Sequence, residues 1–150
     1  MVSKFDIKND FNFNPEIWGP KGWFFLDTII MSYPDNPTNK QKKTYTEFIY
    51  SIGEILPCSK CRNNYNKHLE SLPLTVDALN NKRTLIEWWL KIHNLARVSM
   101  DKRSISYEEF IDYYNTEYSV NEVVKDDLMK NLLYFGILVG LIIMLMKYKK

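Results

Sequence analysis

Residues 44–61, Thr-Tyr-Thr-Glu-Phe-Ile-Tyr-Ser-Ile-Gly-Glu-Ile-Leu-Pro-Cys-Ser-Lys-Cys, decide the fold class. Tyr45, Phe48, Ile49, Ile52, Ile55 and Leu56 recur at three- and four-residue steps and make one apolar stripe of helical period. Pro57 ends that helix, because its ring disfavours the helical conformation of the residue before it. Cys58 and Cys61 follow at once and open a further helix. The same period appears on both sides. Upstream, Pro15 starts a helix that carries Trp23, Leu26, Ile30 and Tyr33, and Tyr33-Pro34 stops it. Residues 35–39, Asp-Asn-Pro-Thr-Asn, form a loop by composition. Downstream, a helix from Cys58 to Leu69 puts Cys61, Tyr65 and His68 or Leu69 on a face, and Leu72-Pro73-Leu74 connects it to the next. A helix from Lys82 to Met100 carries Leu85, Trp89, Ile92, His93, Ala96 and Met100. A short fifth helix follows, with Ser106 as its N-cap and Glu109 three residues on, the capping-box pattern. No segment alternates like a strand. The expected fold is all-α, a four-helix bundle plus a short fifth helix.

With 150 residues the chain has room for one domain and modest tails. Its 45% apolar and 25% charged content suits a folded chain, and 5 Gly with 6 Pro excludes collagen-like and low-complexity readings. The net charge is +2, and Lys147, Lys149 and Lys150 sit at the extreme C-terminus. The rest of the chain therefore carries one more acidic than basic group, which is not the footprint of a nucleic-acid binder. Residues 1–14 are a polar arm unlike a secretory signal. The folded domain is expected over 15–117 and a linker over 118–130. From Asn131 to Met146 no residue is charged. At about 1.5 Å per residue this run is roughly 24 Å long, and Lys130 and Lys147 can snorkel toward the edges of a hydrocarbon core of about 30 Å. A single-pass C-terminal membrane anchor at 131–147 is expected, with a buried core helix as the alternative.

Cys58 and Cys61 hold all of the thiol chemistry. Two cysteines cannot staple a secreted mini-protein. A zinc site would have to add His68 and His93, in a C-x2-C-x6-H-x24-H spacing foreign to the common fingers. A redox dithiol is the favoured reading. The first thiol of a pair at a helix start faces the positive end of the helix, which favours thiolate. An oxidising dithiol has to pass on two electrons, which calls for a flavin or a metal. No G-x-G-x-x-G is present, so a flavin would lie between helices, stacked on aromatic rings. His93 and Asn94, with Arg97 one turn on and Lys102 beyond, supply a ring and pyrophosphate-binding cations. For His93 alone, a satisfied core histidine is the competing reading.

Over residues 17–115 the sequence resembles the Erv/ALR family of FAD-linked sulfhydryl oxidases. The resemblance rests on an ordered set: Trp18-Gly19-Pro20-x-x-Trp23-x-x-Leu26 leading to Tyr33-Pro34, then Pro57-Cys58-x-x-Cys61, then Trp88, His93-Asn94 and Lys102. A short domain with one C-x-x-C and an apolar C-terminal segment is most similar to the versions carried by large cytoplasmic DNA viruses. The resemblance implies a helical bundle around FAD, usually a homodimer. It implies that Cys61 passes electrons to the flavin and that Cys58 exchanges with the incoming dithiol. It further implies a cofactor-binding set of Gly19, Trp23, Asp27, His93, Asn94, Arg97, Lys102 and Tyr114, with no metal. Three positions depart from the family pattern. Asp27 stands where a His is usual, Arg97 where a second Asn is usual, and Leu56 where an aromatic is common. Asp27 reads equally as a flavin neighbour or as a solvated helix-face residue.

The expected activity is oxidation of a partner dithiol, either a substrate or a shuttle protein, with electrons passed to O2 to give H2O2. The competing reading is a zinc-binding or structural, membrane-tethered helical interaction module. The expected location is a membrane, and for a viral chain the host cytoplasmic side or the virion membrane.

Overall fold

A computed structural model describes residues 13–148. Five helices follow one another: α1 (Pro15–Met31), α2 (Asn39–Ile55), α3 (Ser59–Ser71), α4 (Lys82–Val98) and α5 (Tyr107–Tyr148). Among the described residues there is no strand, so the all-α expectation holds. The expected N-terminal arm lies outside the described residues except for Phe13 and Asn14. Asn14 is the N-cap of α1, its side chain accepting from the Glu16 amide at 3.0 Å.

The described chain falls into two compact units that divide after Ser104. In the first, α4 packs against α1 and α3, and α3 packs against α2. Leu85, Ile86, Trp88, Trp89, Leu90 and Ile92 of α4 are all buried. That is more than the single stripe the period indicates, because α4 is covered by two neighbours and needs apolar residues on two faces. Asn81 starts α4 with a capping box, its side chain accepting from the Thr84 amide at 3.0 Å while Thr84 Oγ1 accepts from the Asn81 amide at 3.2 Å. Tyr33, at the end of α1, is fully buried and donates from its hydroxyl to the Leu79 carbonyl at 3.0 Å. Its ring meets Tyr45 of α2 edge-on at 4.7 Å. On α2, Ile49 and Ile52 are buried but Ile55 is exposed, since the helix ends there.

The second unit corrects two expectations. Ser106 and Glu109 do form the capping box, with the Ser106 amide donating to Glu109 Oε2 at 2.8 Å and the Glu109 amide to Ser106 Oγ at 3.1 Å. The helix they start is not short. It runs 42 residues without a break, because 115–130 is polar but holds neither Gly nor Pro, and polarity alone does not stop a helix. The expected linker at 118–130 is therefore helical. The expected membrane anchor also goes without support. Among the described residues no helix is long and apolar enough to cross a membrane, and the side chains at 142, 143, 145 and 147 lie outside the described residues.

Candidate functional site

Pro57 closes α2, and Cys58 becomes the N-cap of α3 in an extended conformation. Its sulfur accepts from the Cys61 amide at 3.1 Å. One turn of helix then brings the two Cα atoms to 5.1 Å, inside the range that a disulfide spans, and Cys58 and Cys61 are joined. Arg62 ties this turn down, its guanidinium donating to the Leu56 carbonyl at the end of α2 and its amide to the Cys58 carbonyl. Cys58 thus sits at the positive end of α3, as the sequence leads one to expect. Both cysteines are half-buried, so a partner thiol can reach the bond.

On α1 and α4 a second group assembles. Trp23 and Asp27 are one turn apart on α1, and Trp89 and His93 are one turn apart on α4. Trp23 lies flat on His93, with ring centroids 4.2 Å apart and planes within 6°. Its ring is tilted against Trp89 at 5.7 Å. Asp27 is completely buried. Its Oδ1 accepts from Trp89 Nε1 at 2.6 Å, and its Oδ2 lies 3.2 Å from His93 Nδ1. Burial removes the reading of Asp27 as a solvated helix-face residue. A buried carboxylate needs donors: the indole of Trp89 donates to one oxygen, and the His93 imidazole comes within 3.2 Å of the other. The sequence places Trp89 on the helix stripe that carries His93 but not among the site residues, and the structure adds it to the site. Its spacing of four residues before His93 is the signal that it shares a face with the imidazole.

At the C-terminal end of α4 the chain turns back. Arg97 Nε donates to the Arg103 carbonyl at 2.8 Å, and the Arg97 carbonyl accepts from the Lys102 amide at 3.0 Å. Asp101 supplies the left-handed residue of this turn, with φ of 57°. Short polar side chains tolerate that conformation better than most. Arg97 and Lys102 are thereby gathered at one end of the helix that carries His93, with Lys102 exposed. Asn94 is half-buried beside His93. A Cβ at Gly19 would meet nothing within 4 Å, so packing does not demand glycine there. Tyr114 lies in the second unit, its ring 5.0 Å from both Phe110 and Tyr113.

His68 and His93 do not join the cysteines as ligands. Among the described residues no group of three or more His, Cys, Asp or Glu is placed to hold a metal ion, so the zinc alternative loses its ligand set. Burial lowers the pKa of His68.

The family model described as Erv1 / Alr matches residues 20–118. This chain belongs to that family. A protein of Acanthamoeba polyphaga mimivirus named "Probable FAD-linked sulfhydryl oxidase" is 39% identical over 99 residues, 66% of this chain and 69% of that protein. An African swine fever virus protein named "FAD-linked sulfhydryl oxidase" is 33% identical over 97 residues, 65% of this chain and 79% of its own length. In fold, the chain is similar to the FAD binding domain of Erv1 from Saccharomyces cerevisiae, with a TM-score of 0.56 at 24% identity over 62% of this chain and 86% of that one. The Erv1 / Alr match takes in Trp23, Asp27, both cysteines, His93 and the Lys102 turn.

Proposed function

We infer that this chain is an FAD-linked sulfhydryl oxidase, converting two thiols and O2 into a disulfide and H2O2. The observation that carries the reading is a C-x-x-C disulfide at the start of α3, in a fold where α3 packs on the helix that presents His93. The residues fit FAD by their chemistry. The flat, half-buried Trp23–His93 pair suits a planar ring, and Arg97 with Lys102 suits a pyrophosphate. In this reading Trp23, His93, Asn94, Arg97 and Lys102 hold the nucleotide. The chemistry that bound FAD supplies is acceptance of an electron pair from a dithiol and its delivery to O2.

The protein's own part is thiol–disulfide exchange. A substrate thiolate attacks Cys58 Sγ, the Cys58–Cys61 bond breaks, and Cys61 leaves as a thiolate. The second substrate thiolate then attacks the substrate sulfur of the mixed disulfide and releases the oxidised substrate. Cys58 leaves as a thiolate at the positive end of α3, where the amide of Cys61 already points at its sulfur. Two substrate thiols have become one disulfide, and the cysteine pair holds the two electrons. The donor is a dithiol protein, either a substrate or a shuttle. The FAD-bound chain is a homodimer in this reading, and light scattering that returns twice the chain mass tests that part.

The deciding experiment is the visible spectrum of the purified full chain. Flavin absorbance should bleach with a dithiol in the absence of air and return with oxygen. Cys61→Ser should keep its yellow colour and lose oxygen uptake by about 100-fold or more. A colourless protein, or a Cys61→Ser protein with undiminished uptake, overturns the reading.

A further inference from the structure

We propose that Asp27 is a positioning residue for His93: it holds the proton on Nδ1 and so presents Nε2 to the nucleotide as a hydrogen-bond acceptor. The proposal rests on the reading of this site as the FAD site.

The argument starts from what each group is able to do. An indole nitrogen is a donor only, so the 2.6 Å contact uses Asp27 Oδ1 as an acceptor. The other oxygen, Oδ2, lies 3.2 Å from the buried His93 Nδ1, within hydrogen-bond distance but not in line with the N–H direction. A carboxylate has lone pairs and no proton to give. The contact is favourable only when Nδ1 carries the hydrogen. In the neutral ring Nε2 is then bare and accepts.

Geometry pins the ring a second time. Trp23 covers it within 6° of parallel, so a partial turn of the imidazole about its Cβ–Cγ bond breaks the stack, and a half-turn keeps the plane but takes Nδ1 away from Asp27. Trp23 and Asp27 come from one turn of α1, and Trp89 and His93 from one turn of α4. The two helices thus hold the ring by its plane and by its edge. Asp27 does this from complete burial, at the Nδ1 edge of the ring. It acts through His93 and is not itself a nucleotide contact.

The test uses the full-length, FAD-bound protein labelled with nitrogen-15 histidine, at pH 8. There are only two histidines to assign, and His68→Gln identifies the second. The expected imidazole spectrum shows His93 protonated at Nδ1 and bare at Nε2. Asp27→Asn keeps the size and still accepts from Trp89, but turns an amide donor toward Nδ1. It should move the proton of His93 to Nε2 and weaken FAD binding about tenfold, the scale of one hydrogen bond. In a His93→Ala background the same substitution should leave FAD affinity unchanged. A wild-type His93 that carries its proton on Nε2, or on both nitrogens, overturns the proposal even if Asp27→Asn fails to fold. So does an Asp27→Asn protein with wild-type tautomer and affinity, or an equal loss of affinity with and without His93. A wild-type chain that binds no FAD defeats the site reading itself, a result distinct from all of these.

Discussion

Trp89 shows how a single hydrogen bond supports the site. Its Nε1–H is held by a carboxylate that has no access to water. Trp89→Phe keeps the bulk of the ring and removes the donor. It should cost about 2–3 kcal/mol, the range for a buried charged acceptor left short of a partner, as read by urea denaturation. His68 makes a different prediction at the same scale. Burial lowers its pKa below the ordinary value of 6.5, so the unfolded chain binds the proton more readily. The stability it contributes is complete above about pH 6.5 and is lost as pH falls through the lowered value. Between pH 7.5 and 5 the wild type should therefore lose more thermal stability than His68→Leu, compared by melting curves across the range.

At the scale of elements, the sequence carries the helix starts better than the helix ends. Asn14, Thr38, Asn81 and Ser106 all cap as their side chains allow. Capping is a local event, settled within four residues, and so it is legible in order along the chain. Ends depend on what stops the pattern, and nothing in 115–130 stops α5. The approach of α2 to α3 was equally hidden. Gly53 is buried, and a Cβ there would collide with the Asn66 side chain, whose Nδ2 donates to the Gly53 carbonyl at 3.4 Å. Gly53→Ala should destabilise the protein by about 1–3 kcal/mol in chemical denaturation. Adding Asn66→Ala should recover part of that loss by clearing the space.

For the whole molecule, the prediction is linkage between cofactor and stability. A ligand that binds only the folded state stabilises it by about 2.7 kcal/mol at 100 times its Kd. Stripping FAD from the protein should therefore lower Tm by roughly 10 °C, and adding it back should restore the melt. A Tm indifferent to FAD would count against a site built inside the bundle.

The dithiol, its place at a helix start, the helices α1–α4 and the membership of an ordered motif set were determined by the sequence alone. Each depends on neighbours within a turn or two, or on residue types that cannot be exchanged. The pairing of Asp27 with Trp89 and His93 was decided only by tertiary structure. Asp27 and Trp89 lie 62 positions apart along the chain, and on α1 alone an aspartate is as well suited to water as to burial. Only the packing of α1 on α4 turns that carboxylate inward, where the lack of water makes the Trp89 donor obligatory.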